Sequence, residues 1–168
     1  ITPAILNDGR KMYISAQGVS FMTMPPAGFD SSELVEIDGV DFRQLFKEHQ
    51  ADSLRFLSAL RMSATFPYIL PSVHLPSQPA IEVMDAGFLD NYGLKSSIRF
   101  IQVFKDWILE NTSGVVLLQI SASSNIETIG TAEKKGIITS LLGPIEMAGN
   151  LFVRQEFEHN NSLGFLYD

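Results

Sequence analysis

The stretch from residue 81 to residue 120 constrains the fold more than any other part of the chain. Residues 81–84, Ile-Glu-Val-Met, form a run of strand length that ends at Asp85, and a turn bearing Gly87 follows. Over residues 95–110 apolar side chains recur at Ile98, Ile101, Val103, Phe104, Trp107, Ile108 and Leu109, a wide stripe at helical spacing that suits a helix lying over a sheet. Residues 111–114 end that pattern. Residues 115–120, interrupted only by Gln119, are a valine and leucine run of the sort found in buried parallel strands. Strand, turn, helix and strand in this order predict a βαβ unit, and therefore a parallel sheet with a right-handed crossover.

Upstream, residues 3–7 and 10–17 flank Asp8-Gly9, whose tolerance of positive φ suits a two-residue hairpin turn. The second arm is expected to continue through residues 19–24. Pro25, Pro26, Gly28 and Asp30-Ser31-Ser32 break regular structure, with a short strand expected over residues 34–37. Phe42, Leu45 and Phe46 recur at helical spacing. Asp52 or Ser53 is placed to cap a second helix, whose stripe Leu54, Leu57, Leu60 and Met62 runs until Phe66-Pro67 stops it. Beyond residue 121 come a polar loop and, over about residues 132–158, a helical pattern that Pro144 is expected to kink or split. At 168 residues and 45% hydrophobic, the chain suits one domain or one large piece of one. The expected fold is α/β: a partial three-layer α/β/α sandwich, a mainly parallel sheet with helices on both faces. Residues 1–120 hold the hairpin and βαβ part, and residues 121–168 the loop and helical tail.

Charge and composition narrow the function. Nineteen acidic residues against twelve basic give a formal charge of −7, which disfavours nucleic acid as a partner. Cysteine is absent, so neither disulfides nor thiolate chemistry nor a cysteine-type zinc site is open to these residues. No apolar run approaches the roughly 20 residues of a membrane span. The start, Ile1-Thr2-Pro3, has neither a basic nor an apolar leader pattern, and the end, Leu163 to Asp168, is unusually apolar. Both ends are expected to be cuts within a longer chain. Compartment is left open.

Two blocks stand out. One is Ala59-Leu60-Arg61-Met62-Ser63-Ala64-Thr65-Phe66-Pro67-Tyr68-Ile69-Leu70-Pro71-Ser72-Val73; the other, about twenty residues on, is Met84-Asp85-Ala86-Gly87-Phe88-Leu89-Asp90-Asn91-Tyr92-Gly93-Leu94. A carboxylate at the end of a strand, in a glycine-bearing turn, can approach a hydroxyl closely and accept its proton during acyl transfer, without any histidine. Together, and in this order, the blocks resemble the patatin-like phospholipase family. There a helix running into an alanine-, serine- and proline-rich stretch precedes a strand ending in Asp-Gly-Gly or Asp-Gly-Ala. An asparagine in the following turn belongs to the same pattern, and Asn91 matches it. The resemblance covers roughly residues 1–120.

The resemblance implies a Ser-Asp dyad acyl hydrolase acting on lipid esters, with Asp85 in the catalytic position and Ala86, Gly87 and Asn91 completing the motif around it. Ala86 replaces the first glycine, and Gly93 stands where proline is common. The family's Gly-x-Ser-x-Gly nucleophile and glycine-rich oxyanion stretch do not occur here and are expected upstream of residue 1. The nearest string, Gly18-Val19-Ser20-Phe21-Met22, has Met22 where the second glycine belongs and sits in a strand pattern. Ser20 is therefore not expected to be the nucleophile, and these residues alone are expected to be inactive. The partner implied is a lipid or other acyl ester for the intact protein; a membrane surface is a further candidate, and a second copy of the chain is another because a part of such a sheet would expose apolar surface. No metal and no organic cofactor is implied.

Plainer readings stand beside these. An Asp-Ala-Gly after a strand is by itself more often a simple turn. Asp90-Asn91 suits helix capping, Arg61 an ion-paired or solvated helix position, and Ser63 and Thr65 local backbone bonds. His49, His74 and His159 read as surface residues, the first two on loops. Glu156 and His159 share a helical face, but a di-metal carboxylate site needs two such pairs. Two other functional classes also fit: a non-catalytic α/β module binding a protein or membrane surface, and a hydrolase that has lost its serine.

Overall fold

The computed structural model describes residues 1–24, 37–65, 70–118 and 120. The chain divides into two units, Ile1–Val116 and Leu117–Asp168. Every element described below belongs to the first; in the second, Leu117, Leu118 and Ile120 are described and lie outside regular structure.

The expected hairpin forms, but its turn is longer than the two residues Asp8-Gly9: Ile5 N donates to the Arg10 carbonyl at 2.8 Å and Gly9 N to the Ile5 carbonyl at 2.9 Å, so residues 6–9 make it. Gly9 has φ +78°, and the Asp8 carboxylate accepts from Arg10 N at 3.0 Å and Arg10 Nε at 2.7 Å. The turn joins β1 (Ala4–Ile5) to β2 (Lys11–Tyr13) antiparallel, with Ala4 opposite Lys11. The second arm does not continue as a strand: a 3-10 turn occupies Ser20–Met22. The cause is Asp41, whose Oδ2 accepts from Val19 N at 3.1 Å and Ser20 Oγ at 2.8 Å. These bonds give the chain local partners that compete with a ladder. Of the strand expected over residues 34–37, residues 34–36 fall outside the described residues, and Ile37 is in no strand.

β3 (Gly39–Asp41) runs parallel to β2 and passes directly into α1 (Phe42–Leu45). Asp41 Oδ1 caps that helix, accepting from Arg43 N at 2.9 Å and Gln44 N at 3.3 Å. Gly39 is required here, because a Cβ would lie 2.7 Å from Cε2 of Tyr13. The second helix, α2 (Phe56–Ser63), begins after Arg55 and is not capped by Asp52 or Ser53. Those two residues form a 3-10 turn, Ala51–Ser53, and Asp52 instead takes a two-point bond from Arg43 at 2.6 and 2.9 Å.

β4 (Val73–Leu75) and β5 (Ile81–Met84) complete a five-stranded sheet in the order β3-β2-β1-β5-β4. β5 lies where the sequence places it, but the sheet is mixed and not mainly parallel. Among the described residues only β2 and β3 pair in parallel; β1 with β2, β1 with β5 and β4 with β5 are all antiparallel. Two facts account for the difference. The link between β4 and β5, residues 76–80, is too short for the crossover a parallel pair needs. The run expected to supply a parallel partner, residues 115–118 and 120, forms no strand, and Val116 is 94% exposed.

The core lies on one face of the sheet, where Ile5, Met12, Leu75 and Val83 meet Phe42, Phe46 and Met62 from α1 and α2. Met12 and Val83 are wholly buried, worth roughly 2 kcal/mol each. Strand alternation sends Lys11 and Tyr13, either side of Met12, to the opposite face. Beyond β5 come α3 (Gly87–Asp90), α4 (Leu94–Val103) and α5 (Lys105–Asn111). The single helix expected over residues 95–110 is thus two, parting at Phe104. Its apolar stripe is nowhere more than half-buried: no residue of α4 or α5 is buried. The ring of Phe104 instead meets Phe21 edge-on at 5.3 Å and Phe100 at 4.7 Å. The loop and long helix expected over residues 122–158, and the pair Glu156 and His159, fall outside the described residues.

Candidate active site

Because β1 opposes both its neighbours, β2, β3 and β5 run the same way and their carboxyl ends share one edge of the sheet. Asp41 and Asp85 stand at that edge. Asp41 is 5% exposed, and its carboxylate takes four donors, Val19 N, Ser20 Oγ, Arg43 N and Gln44 N. Its lone pairs are committed to the turn and the helix cap. The Ser20 contact belongs to that turn.

Asp85 differs. It follows β5 directly, is half-buried, and its N–H donates to the carbonyl of Thr65 at 3.2 Å. That bond ties the middle of the 59–73 block, just past the end of α2, to the start of the 84–94 block. Its Oδ1 accepts from Gly87 N at 2.8 Å, which closes the turn leading into α3. A Cβ on Gly87 would lie 3.4 Å from Asp85 Oδ1 and 3.4 Å from Asn91 Oδ1, so Gly87 leaves the space beside the carboxylate open. Ala86 is buried and precedes α3, while Asn91 is exposed just after it. Asp85, Gly87 and Asn91 are thus close together, with Ala86 in the backbone between them. Phe66-Pro67-Tyr68-Ile69, the end of the first block's helix-stopping stretch, lies outside the described residues.

Thr65 was expected to satisfy local backbone groups, and its hydroxyl does not. The residue is 1% exposed, and its Oγ1 has no hydrogen-bond partner. Arg61 Nη2 donates to the Pro71 carbonyl at 2.8 Å, whereas its Nη1 is buried without a partner. His74 sits on β4, not on a loop, exposed and 3.7 Å from Glu82; His49 closes an exposed 3-10 turn, Lys47–His49.

Behind the Asp85 turn lies a polar cluster that local sequence reasoning missed. Asp90, at the end of α3, is 7% exposed and caps α4 as expected, with Oδ1 accepting from Lys95 N at 3.2 Å and Oδ2 from Ser96 N at 3.1 Å. The same Oδ2 accepts from Ser96 Oγ at 2.9 Å and from Nζ of Lys11, and Lys11 Nζ also donates to Ser96 Oγ at 2.9 Å. Burial pushes the Asp90 carboxyl up, but the Lys11 ammonium and the Ser96 donors outweigh it and hold the group below its ordinary 3.8. Burial draws Lys11 below its ordinary 10.5 against the pull of Asp90, and pushes the Tyr13 phenol up from 10.0. Arg99, on α4, pairs with Asp38 through both its terminal nitrogens and donates to the Met22 carbonyl at 2.9 Å. No local pattern could reveal the Lys11–Asp90 bond, since 79 residues separate the partners.

Among the described residues no group of three or more His, Cys, Asp or Glu side chains is arranged to hold a metal ion, and no helix is long and apolar enough to cross a membrane. Comparison of the chain with family models, with curated proteins and with solved structures found no match.

Proposed function

We propose that this chain carries the aspartate of a Ser-Asp dyad and that the intact protein hydrolyses acyl esters of lipids. Asp85 is the general base, and the serine comes from sequence outside these 168 residues. The observation that supports this most is the setting of Asp85: a half-buried carboxylate at the carboxyl end of β5, one oxygen oriented by Gly87 N, with no Cβ on Gly87 to crowd it. A serine hydroxyl brought into that space would be oriented by the carboxylate and lose its proton to it during attack. Asn91, across Gly87 from Asp85, limits the other side of the same space. The patatin-like three-layer arrangement, the role of this chain as the later part of such a domain, and association with a membrane surface or a second copy all belong to the same proposal.

Asp85→Asn tests it in the intact protein with a short-chain nitrophenyl ester. The rate should fall by about 10²–10⁴, the loss typical of a removed general base; a rate within about threefold of the native one refutes the role. The sequence preceding residue 1 separates the functional classes. A Gly-x-Ser-x-Gly elbow there supports the enzyme, and its absence favours a binding module or a hydrolase that has lost its serine.

A further inference from the structure

Resting on that reading of Asp85, we infer that Lys11 is its positioning residue: by anchoring Asp90 to the sheet, Lys11 fixes the far end of α3 and with it the turn that aims the Asp85 carboxylate.

The register supplies the geometry. Lys11 on β2 opposes Ala4 on β1, and Ala4 opposes Met84 on β5, so Lys11 lies in the cross-strand row of the residue just before Asp85. Its side chain leaves the face opposite the core and meets Asp90, five residues past Asp85. Between the two aspartates lies α3, four residues long. So short a helix has no stability of its own, and its orientation is set by what holds its ends. At the start, Gly87 N donates to Asp85 Oδ1 at 2.8 Å. At the end, Asp90 N donates to the Ala86 carbonyl at 2.9 Å, and the Asp90 carboxylate is held by Lys95 N, Ser96 N, Ser96 Oγ and Lys11 Nζ.

The first three of those donors belong to α4, so they tie α3 only to the helix that follows it. Lys11 alone among the four stands on the sheet. With its ammonium in place, the end of β5, the single turn of α3 and the start of α4 are closed into one ring of contacts that passes through β2 and β1. Without it, α4 keeps its tie through Arg99 to Asp38 and Met22, but the Asp90 end of α3 loses its bond to the strand row of Met84, and Asp85 sits at that joint.

Amide hydrogen exchange on the protein, native and Lys11→Met, reads this directly. Gly87 N–H reports the Asp85 turn and Asp90 N–H the end of α3; Leu6 N, bonded to the Glu82 carbonyl, and Phe46 N, bonded to the Phe42 carbonyl, serve as references. Gly87 and Asp90 should exchange about tenfold faster or more, with Leu6 and Phe46 within about threefold of native. Where Lys11→Met does not fold, Lys11→Met with Asp90→Asn removes the anchor and leaves no unpaired charge, and the same local acceleration is expected. Native protection at Gly87, or an equal acceleration at all four amides, overturns the inference. In the intact enzyme the anchor should appear as a lower kcat with KM unchanged. Exchange reads the placement, and hydrolysis by Asp85→Asn reads the chemistry. Fast Gly87 exchange in a protein indifferent to Asp85→Asn would leave the anchor standing and remove the base.

Discussion

Removing the Lys11 ammonium should cost more stability than removing the charge of Arg10, Arg43 or Arg99, the other ion-paired cations whose exposures decide the comparison. The Lys11 and Asp90 side chains are 10% and 2% exposed, whereas Arg10 with Asp8, Arg43 with Asp52 and Arg99 with Asp38 each leave at least one partner more than a third exposed. Breaking a buried pair by deleting one partner strands the other charge, typically at 3–5 kcal/mol. In Lys11→Met the stranded Asp90 keeps Lys95 N, Ser96 N and Ser96 Oγ, so the lower end applies, about 3 kcal/mol. With a urea dependence of about 2 kcal/mol/M, the unfolding midpoint should fall by about 1.5 M at unchanged slope. Asp90→Asn should cost a similar amount by stranding Lys11, and the double variant should cost less than the two losses combined, since no charge is then left unpaired.

Acid provides a second check. The folded pKa of Asp90 lies below its ordinary 3.8, so its contribution is present above pH 3.8 and lost as pH falls through the lower, folded value. Lys11→Met has already lost much of that contribution, and the gap between it and the native protein should narrow below pH 3.8. Additive losses in the double variant, or a gap that widens in acid, would refute the assignment of the pair as the anchor of α3.

Gly87→Ala would place a methyl 3.4 Å from Asp85 Oδ1 and from Asn91 Oδ1, an ordinary contact, so urea unfolding should change by no more than about 1 kcal/mol. Because the methyl fills the approach to the carboxylate, ester hydrolysis by the intact protein should fall about tenfold or more, and an unchanged rate would mean that the alcohol does not come from that side. Thr65→Val replaces a buried hydroxyl without a partner by a group of similar shape, so stability should rise by about 1 kcal/mol, seen as a thermal midpoint about 3 °C higher. A lower midpoint would mean that the hydroxyl is bonded.

What was legible in the sequence is what local chemistry decides. Asp8-Gly9 makes a hairpin because only a residue tolerant of positive φ closes that turn, and Gly9 adopts φ +78°. Residues 81–84 form a strand and Phe42 starts a helix for equally local reasons. Pairing was not legible. An apolar run states that burial is needed and says nothing of the partner, which is why residues 115–118 read as a buried parallel strand although Val116 and Leu118 are 94% and 77% exposed. The helical stripe of residues 95–110 misled in part: Ile98, Ile101, Phe104 and Ile108 are half-buried, but Val103, Trp107 and Leu109 are 37%, 59% and 69% exposed.

The two aspartates five residues apart in the 84–94 block show where local reasoning reaches its limit. Nothing in Asp85-Ala86-Gly87-Phe88-Leu89-Asp90 distinguishes a base from a cap by charge or type, and the assignment of Asp85 to chemistry came from resemblance alone. Packing separates them on independent grounds. Asp90 is 7% exposed, takes four donors including an ammonium, and has its carboxyl held below the ordinary range. A carboxylate so stabilised as an anion is a poor proton acceptor. Asp85, half-buried at the end of β5 and beside a glycine, has the accessible edge that Asp90 lacks. If either carboxylate in this turn takes a proton from an alcohol, burial and hydrogen bonding select Asp85 and leave Asp90 to hold it in place.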